Sequence, residues 1–255
     1  MAERFTLVIP TYNESRIISR TLAAVRAVFE EKLVIPWQII VADNASKDGT
    51  ADVVEGLKDP RIKVLRLLEK GRGRAIRAGF KAAAGGIVAF TDADLPIAPG
   101  EVLKGLDKVL KEECEIVVGT RLSKGGAMDN RMWLRNLSSR IFHILAVVLT
   151  GLKASDSQCP LRIMNERTTP VMLATVDPTW WSELECILLA EKLGISMKEV
   201  PVEWIEGRYE ERKSTVKVFQ DGIKAIKAMS KMRFYLRPIE KSLRMTLSIS
   251  GPSGL

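Results

Sequence analysis

The sequence predicts an α/β fold in which a mostly parallel sheet is covered by helices on both faces. Over the first 120 residues, short apolar segments rich in Val and Ile alternate with longer segments of helical spacing. Turn-forming residues bound the apolar segments, which is typical of strands buried in a parallel sheet. A chain of 255 residues fits one large α/β domain or two small ones and can bury a substantial core.

The individual elements follow from periodicity and turn signals. Five strands are predicted in the first half of the chain, over residues 6–10, 38–43, 62–68, 87–92 and 115–120. Helices are predicted between them, over residues 15–32, 49–57, 73–84 and 99–111. Beyond residue 120 we expect helices over 131–152, 182–193 and 214–233 and a strand over 196–204. The helix over 214–233 is predicted to be amphipathic, with one apolar face formed by Val216, Phe219, Ile223, Ile226 and Met229.

The charge balance narrows the classes of partner. The 39 Lys and Arg residues exceed the 31 Asp and Glu residues, which gives a net charge of +8. No basic run is interleaved with aromatic residues and no recognised nucleic-acid motif occurs, so we expect no nucleic-acid partner. The basic residues gather late in the chain, which favours phosphate-bearing substrates or an anionic lipid surface. A solvated basic surface is the alternative.

Neither the cysteines nor the apolar segments indicate an exported or membrane-spanning chain. Cys114, Cys159 and Cys186 lack CxxC spacing and are predicted to be buried free thiols in a reducing compartment. No signal-peptide pattern is seen. The longest apolar run, residues 141–152, is shorter than the about 20 residues that a bilayer span requires. We therefore expect a cytoplasmic protein that is soluble or peripheral on the cytoplasmic face of a membrane.

Polar residues follow three of the predicted strands. Tyr12-Asn13-Glu14 follows the first strand, Asp43 and Asn44 end the second, and Asp92-Ala93-Asp94 ends the fourth. The carboxyl ends of such strands meet at one edge of the sheet, where ligands bind. Asp92 and Asp94 are typical ligands of Mg²⁺ or Mn²⁺, which leave coordination positions for substrate phosphates. A helix-capping loop with exposed acids is the alternative.

Two further segments suit contact with a nucleotide. Asp43 lies at a strand end and can accept hydrogen bonds from a base or ribose, whereas Asp48-Gly49-Thr50 is better interpreted as a turn and helix cap. Lys70-Gly-Arg-Gly73 combines flexible glycines and cations at a helix N-terminus, which suits a phosphate. A basic surface turn is the alternative for this segment.

As a set, these motifs resemble those of the family 2 glycosyltransferases of GT-A fold, over residues 4 to 215. They occur in the family's order as Ile9-Pro-Thr-Tyr-Asn-Glu14, Asp43-Asn-Ala-Ser-Lys-Asp-Gly-Thr50, Lys70-Gly-Arg-Gly73 and Thr91-Asp-Ala-Asp-Leu95. Within the family, the chain is most similar to polyprenyl-phosphate (dolichyl-phosphate) mannose and glucose synthases, through Gly119-Thr-Arg121, Arg135 with Ser139, Asp156-Ser-Gln-Cys159 and Trp181-Ser-Glu-Leu-Glu185. The resemblance implies a GT-A-like sheet with a Rossmann-like nucleotide-binding half in a catalytic domain over 1–215. A C-terminal amphipathic helix and flexible tail would occupy 216–255.

The resemblance also implies roles for individual residues. The nucleotide-sugar donor would be held by Pro10, Tyr12, Glu14, Asp43, Lys70, Asp92, Arg208 and Lys213. Asp94 would be the principal ligand of Mg²⁺ or Mn²⁺, with Asp92 beside it. The acceptor phosphate would be bound by Arg121, Arg135 and Ser139. The chain departs from the family pattern at Pro96, where a polar metal ligand is common, and at Pro160, where Gly is usual.

We expect an inverting glycosyltransferase that moves a hexose from a nucleotide sugar to a polyprenyl phosphate. GDP-mannose is the favoured donor because Asp-Ala-Asp-Leu resembles the mannose synthases, and UDP-glucose stays open because other motifs resemble the glucose synthases. A lipid phosphate is already ionised and needs no strong base. His143 lies in an apolar helical run without a His or Cys partner at ligand spacing, so we expect it to be a core or interfacial residue. One alternative is a soluble sugar or glycan acceptor, with Asp156 or Glu183 as the base. The other is a non-catalytic nucleotide-sugar-binding protein.

Overall fold

A sheet of seven strands runs through the part of the chain that the computed structural model describes, residues 4–121, 133–205 and 218–248. The strands are β1 (Phe5–Thr11), β2 (Trp37–Asp43), β3 (Ile62–Arg66), β4 (Ile87–Phe90), β5 (Ile116–Thr120), β6 (Arg162–Met164) and β7 (Met197–Pro201). Their order is β3-β2-β1-β4-β6-β5-β7, and β6 alone among them pairs antiparallel with its neighbours. The predicted, mostly parallel sheet is therefore confirmed.

Helices connect the strands much as predicted. They are α1 (Ile18–Lys32), α2 (Thr50–Gly56), α3 (Arg72–Ala83), α4 (Pro99–Leu110), α5 (Trp133–Thr150), α6 (Thr169–Leu173), α7 (Ser182–Leu193) and α8 (Val218–Thr246). The strand β6 and the helix α6 were not predicted. The helix α8 continues well past residue 233, where the predicted helix ends.

Buried side chains form one apolar layer on each face of the sheet. Because successive residues of a strand point to opposite faces, Val8 joins one layer while Leu7 and Ile9 join the other. The layer around Val8 includes residues of α3, α6, α7 and α8. The layer around Leu7 includes residues of α1 and α4. The three cysteines are buried and free, as predicted.

A close approach between α3 and the sheet fixes where α3 begins. A Cβ atom built on Gly79 would lie 2.3 Å from Cγ1 of Val8, so only a residue without a side chain allows this packing. The helix therefore lies almost directly on β1. Its N-terminus, at Arg72, is held near the carboxyl end of that strand.

The C-terminal helix packs one side against the rest of the protein. Its buried apolar side chains are Met229, Met232, Leu236 and Leu243, and they pack with residues of α5 and α7. Ile226, which was predicted to lie on one apolar face with Met229, is 45% exposed, so that face is buried only in part. The helix continues past Pro238, and Leu236 and Leu243 on either side of the proline are buried in the core. Val216 and the side chains of Phe219 and Ile223 lie outside the described residues, as does the predicted boundary at residue 215.

Within the described ranges, none of the helices combines the length and the apolar character that crossing a membrane would require.

Candidate active site

The ends of β1 and β2 bring together the residues predicted to hold a nucleotide. Asp43 is buried at the end of β2, where it accepts hydrogen bonds from Oγ1 of Thr11 at 3.3 Å and from the backbone N–H of Ser46 at 3.3 Å. The next residue, Asn44, accepts a hydrogen bond from the backbone N–H of Gly71. The loop after β2 is thereby joined to the start of α3, as the common strand-end position predicts.

The loop after β1 completes this side of the site. Pro10 lies in β1, and the Lys70 ammonium lies 3.5 Å from the centre of the Tyr12 ring. Glu14 is buried, and its backbone N–H donates to Oγ1 of Thr50 at 2.9 Å. Asp48 accepts hydrogen bonds from Thr50 and from the backbone N–H of Ser15 at 2.9 Å. Asp48 therefore closes a turn before α2, as predicted.

Arg72 connects the predicted metal-binding segment with the start of α7. Its guanidinium donates to Oδ1 of Asp92 at 2.7 Å and forms a second ion pair with Glu183. The same group lies 4.8 Å from the centre of the Trp180 ring, which shields it further from water. Sequence reasoning placed Lys70 at the donor site and missed Arg72, although both lie in the Lys-Gly-Arg-Gly motif.

Asp94 lies in a tight turn that the end of the sheet holds in place. The backbone N–H of Leu95 donates to the carbonyl of Asp92 at 3.1 Å, and Leu95 has a left-handed φ of 46°. The carbonyl of Pro96 accepts a hydrogen bond from Ile205 at 2.9 Å. Pro96 thus provides a backbone acceptor that holds the turn in place.

The donor set around Asp92 and Asp94 fits a hard divalent cation. Two carboxylates at a strand end suit Mg²⁺ or Mn²⁺, which commonly use one or two protein carboxylates together with substrate phosphates. Among the residues with described positions, no group of three His, Cys, Asp or Glu side chains forms a fuller metal cage. Phosphate oxygens and water would therefore complete the coordination.

Arg121 is bound to Asp156 on the opposite side of β4. Its Nε donates to Oδ2 at 2.8 Å and Nη2 donates to Oδ1 at 3.0 Å, which is a bidentate pair. The guanidinium also lies 4.8 Å from the centre of the Trp204 ring. Burial raises the pKa of Asp156, but the hydrogen bonds and charge of Arg121 outweigh burial and hold that pKa below its usual value. Asp156 is therefore a weak base.

The remaining predicted residues stay predictions. Arg135 and Ser139 belong to α5, but their side chains lie outside the described residues. Arg208 and Lys213 also lie outside the described residues. His143 is half-buried on α5, in agreement with an interfacial position.

The start of α7 is supported by a carboxylate that the sequence motifs contain but to which they assigned no role. Glu185 is buried and accepts hydrogen bonds from the backbone N–H groups of Val176 at 2.7 Å and Asp177 at 3.0 Å, and from the Tyr235 hydroxyl of α8. Burial raises the pKa of Glu185, and these hydrogen bonds oppose that rise. A Cβ atom on Gly73 would lie 2.4 Å from the Ser182 hydroxyl, so α3 and the start of α7 are in close contact. The pair of Arg72 with Glu183 depends on this contact.

Comparison with known proteins agrees with the fold and with the family that the sequence motifs resemble. Residues 6–168 match the family model described as Glycosyl transferase family 2. A dolichyl-phosphate beta-glucosyltransferase of Dictyostelium discoideum is 30% identical over 254 residues, which cover 92% of this chain and 76% of the relative. A dolichyl-phosphate beta-glucosyltransferase of Trichomonas vaginalis is 30% identical over 216 residues, 79% of this chain. This chain spans only 64% of the length of that second relative.

Solved structures of lower identity share the fold. A glucosyl-3-phosphoglycerate synthase of Mycobacterium tuberculosis, in complex with Mn²⁺, uridine diphosphate and phosphoglyceric acid, aligns with a TM-score of 0.65 and 18% identity over 91% of this chain and 78% of its own. A mannosyl-3-phosphoglycerate synthase of Rubrobacter xylanophilus aligns with a TM-score of 0.56 and 18% identity over 96% of this chain and 75% of its own. The GT-A-like fold is confirmed, and the chain belongs to the family 2 glycosyltransferases.

Proposed function

We propose that this chain transfers glucose from UDP-glucose to a polyprenyl or dolichyl phosphate, with inversion at the anomeric carbon. The observation that carries the proposal is that both carboxylates that could act as a base for a soluble acceptor are bound in ion pairs. Asp156 is neutralised by Arg121 and Glu183 is neutralised by Arg72. An acceptor phosphate is already ionised at neutral pH and needs no base, whereas a sugar hydroxyl does.

The relatives change the preferred donor. The sequence favoured GDP-mannose on the Asp-Ala-Asp-Leu segment, but the curated relatives at 25–30% identity are named dolichyl-phosphate beta-glucosyltransferases. The mannose preference therefore has no support from them. Asp92 and Asp94 would act on the metal and on the diphosphate bound to it. Because UDP-glucose and GDP-mannose both contain a diphosphate, this motif carries little information about the sugar.

A divalent metal forms part of the proposal. Asp94, with Asp92, would hold Mg²⁺ or Mn²⁺, and several structural neighbours were solved with Mn²⁺. When bound, the metal neutralises the negative charge that develops on the departing diphosphate. Arg72 holds Asp92 in place from the side of α3, and Lys70 lies beside Tyr12 at the nucleotide end. The acceptor phosphate would be oriented by Arg121, whose own geometry is fixed by Asp156.

Peripheral binding to a membrane is also proposed, since a polyprenyl acceptor is lipid-soluble. Apolar side chains are exposed on α5 at Ile144 and Val148 and on α8 at Phe234 and Met245. These two helices pack against each other, and exposed lysines lie on α8 as well. An apolar and basic surface of this kind is suited to an anionic bilayer. Flotation with vesicles containing phosphatidylserine tests it, and protein that stays at the bottom of the gradient contradicts it.

Transfer of radiolabelled sugar tests the reaction. Purified protein is given UDP-glucose or GDP-mannose, farnesyl phosphate, and either Mn²⁺, Mg²⁺ or chelator. We expect labelled lipid from UDP-glucose with metal, no labelled lipid with chelator, and none from Asp94→Asn. Lys32→Ala, at the exposed end of α1, is the control and should transfer normally. Label that appears on a soluble sugar but never on farnesyl phosphate would replace the proposed acceptor.

A further inference from the structure

Arg162 is a buried cation for which the proposed reaction has no role so far. It lies in the short antiparallel strand β6, and its exposure is 0%. Arginine keeps its charge throughout the pH range in which proteins fold. A charge buried to this extent is costly unless hydrogen bonds or an opposite charge compensate it. The contacts of Arg162 therefore show which part of the structure the buried charge stabilises.

Backbone carbonyls accept the hydrogen bonds of the Arg162 guanidinium. Its Nη1 donates to the carbonyls of Cys159 and Leu161, both at 2.7 Å, and its Nη2 donates to the carbonyl of Ser157 at 2.9 Å. Within the described ranges of the chain, Arg162 forms no ion pair and its Nε has no hydrogen-bond partner. The guanidinium thus fixes the backbone of the turn from Ser155 to Pro160 without being neutralised.

The turn that Arg162 fixes is the one that carries Asp156, the partner of Arg121. Burial lowers the pKa of Arg162, while the charge of Asp156 opposes that effect. Asp156 is itself already paired with Arg121. Arg162 therefore adds a buried positive charge beside the Arg121–Asp156 ion pair. The nearby carboxylate of Glu199, which accepts hydrogen bonds from Ser155 of the same turn, is exposed to solvent. A buried positive charge beside a neutral ion pair attracts an anion.

A hydroxyl in the same turn also indicates that an anion binds here. Ser157 is buried, and in the described part of the protein its Oγ has no hydrogen-bond partner. Buried hydroxyl groups normally find a partner in the protein, in water or in a ligand. A phosphate monoester would provide both the negative charge and the acceptor oxygen that this turn lacks.

We infer that Arg162 is a positioning residue that shapes the 155–160 turn and, with Arg121 and Ser157, makes it a receptor for the phosphate monoester of the acceptor. This inference rests on the proposed function, because that function makes the acceptor a phosphate. Arg162 acts through the turn and through its charge, and Ser157 donates the hydrogen bond.

Two substitutions at Arg162 separate the contribution of its charge from that of its side-chain length. Arg162→Lys keeps the charge and part of the hydrogen bonding, whereas Arg162→Met removes both at similar length. Dissociation constants are measured by calorimetry for farnesyl phosphate and, separately, for UDP with Mn²⁺. We expect Arg162→Met to weaken farnesyl phosphate binding about tenfold or more, and Arg162→Lys about threefold, with UDP binding changed less than about twofold. Arg66→Met, at an exposed arginine of β3, is the matched control.

Ser157→Ala keeps the inference testable if Arg162→Met fails to fold. Removing a hydroxyl that has no described partner should leave the melting temperature unchanged and still weaken farnesyl phosphate binding several-fold. Equal losses of farnesyl phosphate and UDP binding in both Arg162 variants, or wild-type farnesyl phosphate binding by Ser157→Ala, would overturn the inference. Wild-type protein that binds glycerol 3-phosphate but not farnesyl phosphate would refute the lipid acceptor and keep the phosphate site. Binding of neither compound would overturn the site itself.

Discussion

Arg72 offers the most direct test of how the donor side of the site is held together. Its side chain is 10% exposed and pairs with carboxylates of Asp92 and Glu183, whose side chains are 20% and 4% exposed. Replacing Arg72 with Met leaves Glu183 buried without its cation, and removal of one partner from a buried pair costs about 3–5 kcal/mol. For a protein of this size, about 2–4 °C is lost per kcal/mol, so the melting temperature should fall by about 6–20 °C.

A double-mutant cycle identifies the origin of that loss. Glu183→Gln in the Arg72→Met background removes the stranded charge and should recover about 1–3 kcal/mol relative to additivity. Arg66→Met is the matched control, because its guanidinium pairs with exposed carboxylates and should contribute little. Urea unfolding followed by circular dichroism provides the free energies. The reasoning fails if Arg72→Met is as stable as the wild type, or if the double variant is no more stable than additivity predicts.

The other predictions concern different contacts. Mn²⁺ with UDP should raise the melting temperature of Arg72→Met more than that of the wild type, because the metal supplies the missing positive charge; equal shifts would contradict this. Tyr235→Phe removes a hydrogen bond to a buried carboxylate and should lower the free energy of unfolding by about 1.5–3 kcal/mol, measured in urea. Asp156 has a lowered pKa, because Arg121 outweighs burial, so its ionisation stabilises the fold above the unfolded pKa of 3.8 and that stability is lost as the pH falls through the folded value. Asp156→Asn should therefore be less stable than the wild type at pH 7, by a margin that narrows below pH 3.8, and a margin independent of pH would argue against the pair.

The strands with regular apolar patterns were predictable, and the exception shows why. β1, β2 and β4 are short, buried and bounded by turns, so periodicity alone locates them. β6 has three residues and begins with the charged Arg162, so it shows no hydrophobic pattern that would predict a strand. It forms because β4 and β5 offer partners on both of its sides. That information exists only in the folded structure.

The C-terminal helix is a second case in which packing in the folded structure overrides the local sequence signal. Pro238 inside a helix normally breaks it, because proline lacks an N–H group and clashes with the preceding turn. Here Leu236 and Leu243 bury apolar surface against α5 and α7 on both sides of the proline, and this burial outweighs the local preference. Ile226, by contrast, lies where the helix meets less of the core.

The sequence located the acidic residues of the site better than the groups that hold them. Asp43 and Asp92 were predictable because a strand-end acid is a local pattern. Arg72 and Glu185 were quoted within motifs but given no role, because each has a partner distant in the chain, Glu183 for Arg72 and Tyr235 for Glu185. Arg72 stood in a motif already noted for its cations, so the signal was present but could not say which cation faces Asp92.

The distribution of charge constrains the two substrates in opposite ways. On the proposed donor side, Asp92 and Glu183 both pair with the guanidinium of Arg72, so two carboxylates share one cation, an arrangement that favours an added cation. On the proposed acceptor side, Arg121 pairs with Asp156, and Arg162 is a further buried cation that has no ion pair among the described residues, an arrangement that favours an added anion. A neutral sugar acceptor would satisfy neither requirement and would find no unpaired carboxylate among Asp156 and Glu183 to take its proton. A metal-bound diphosphate donor and a phosphate acceptor would satisfy both, so the charges that argue against a general base also support the proposed reaction, which needs none.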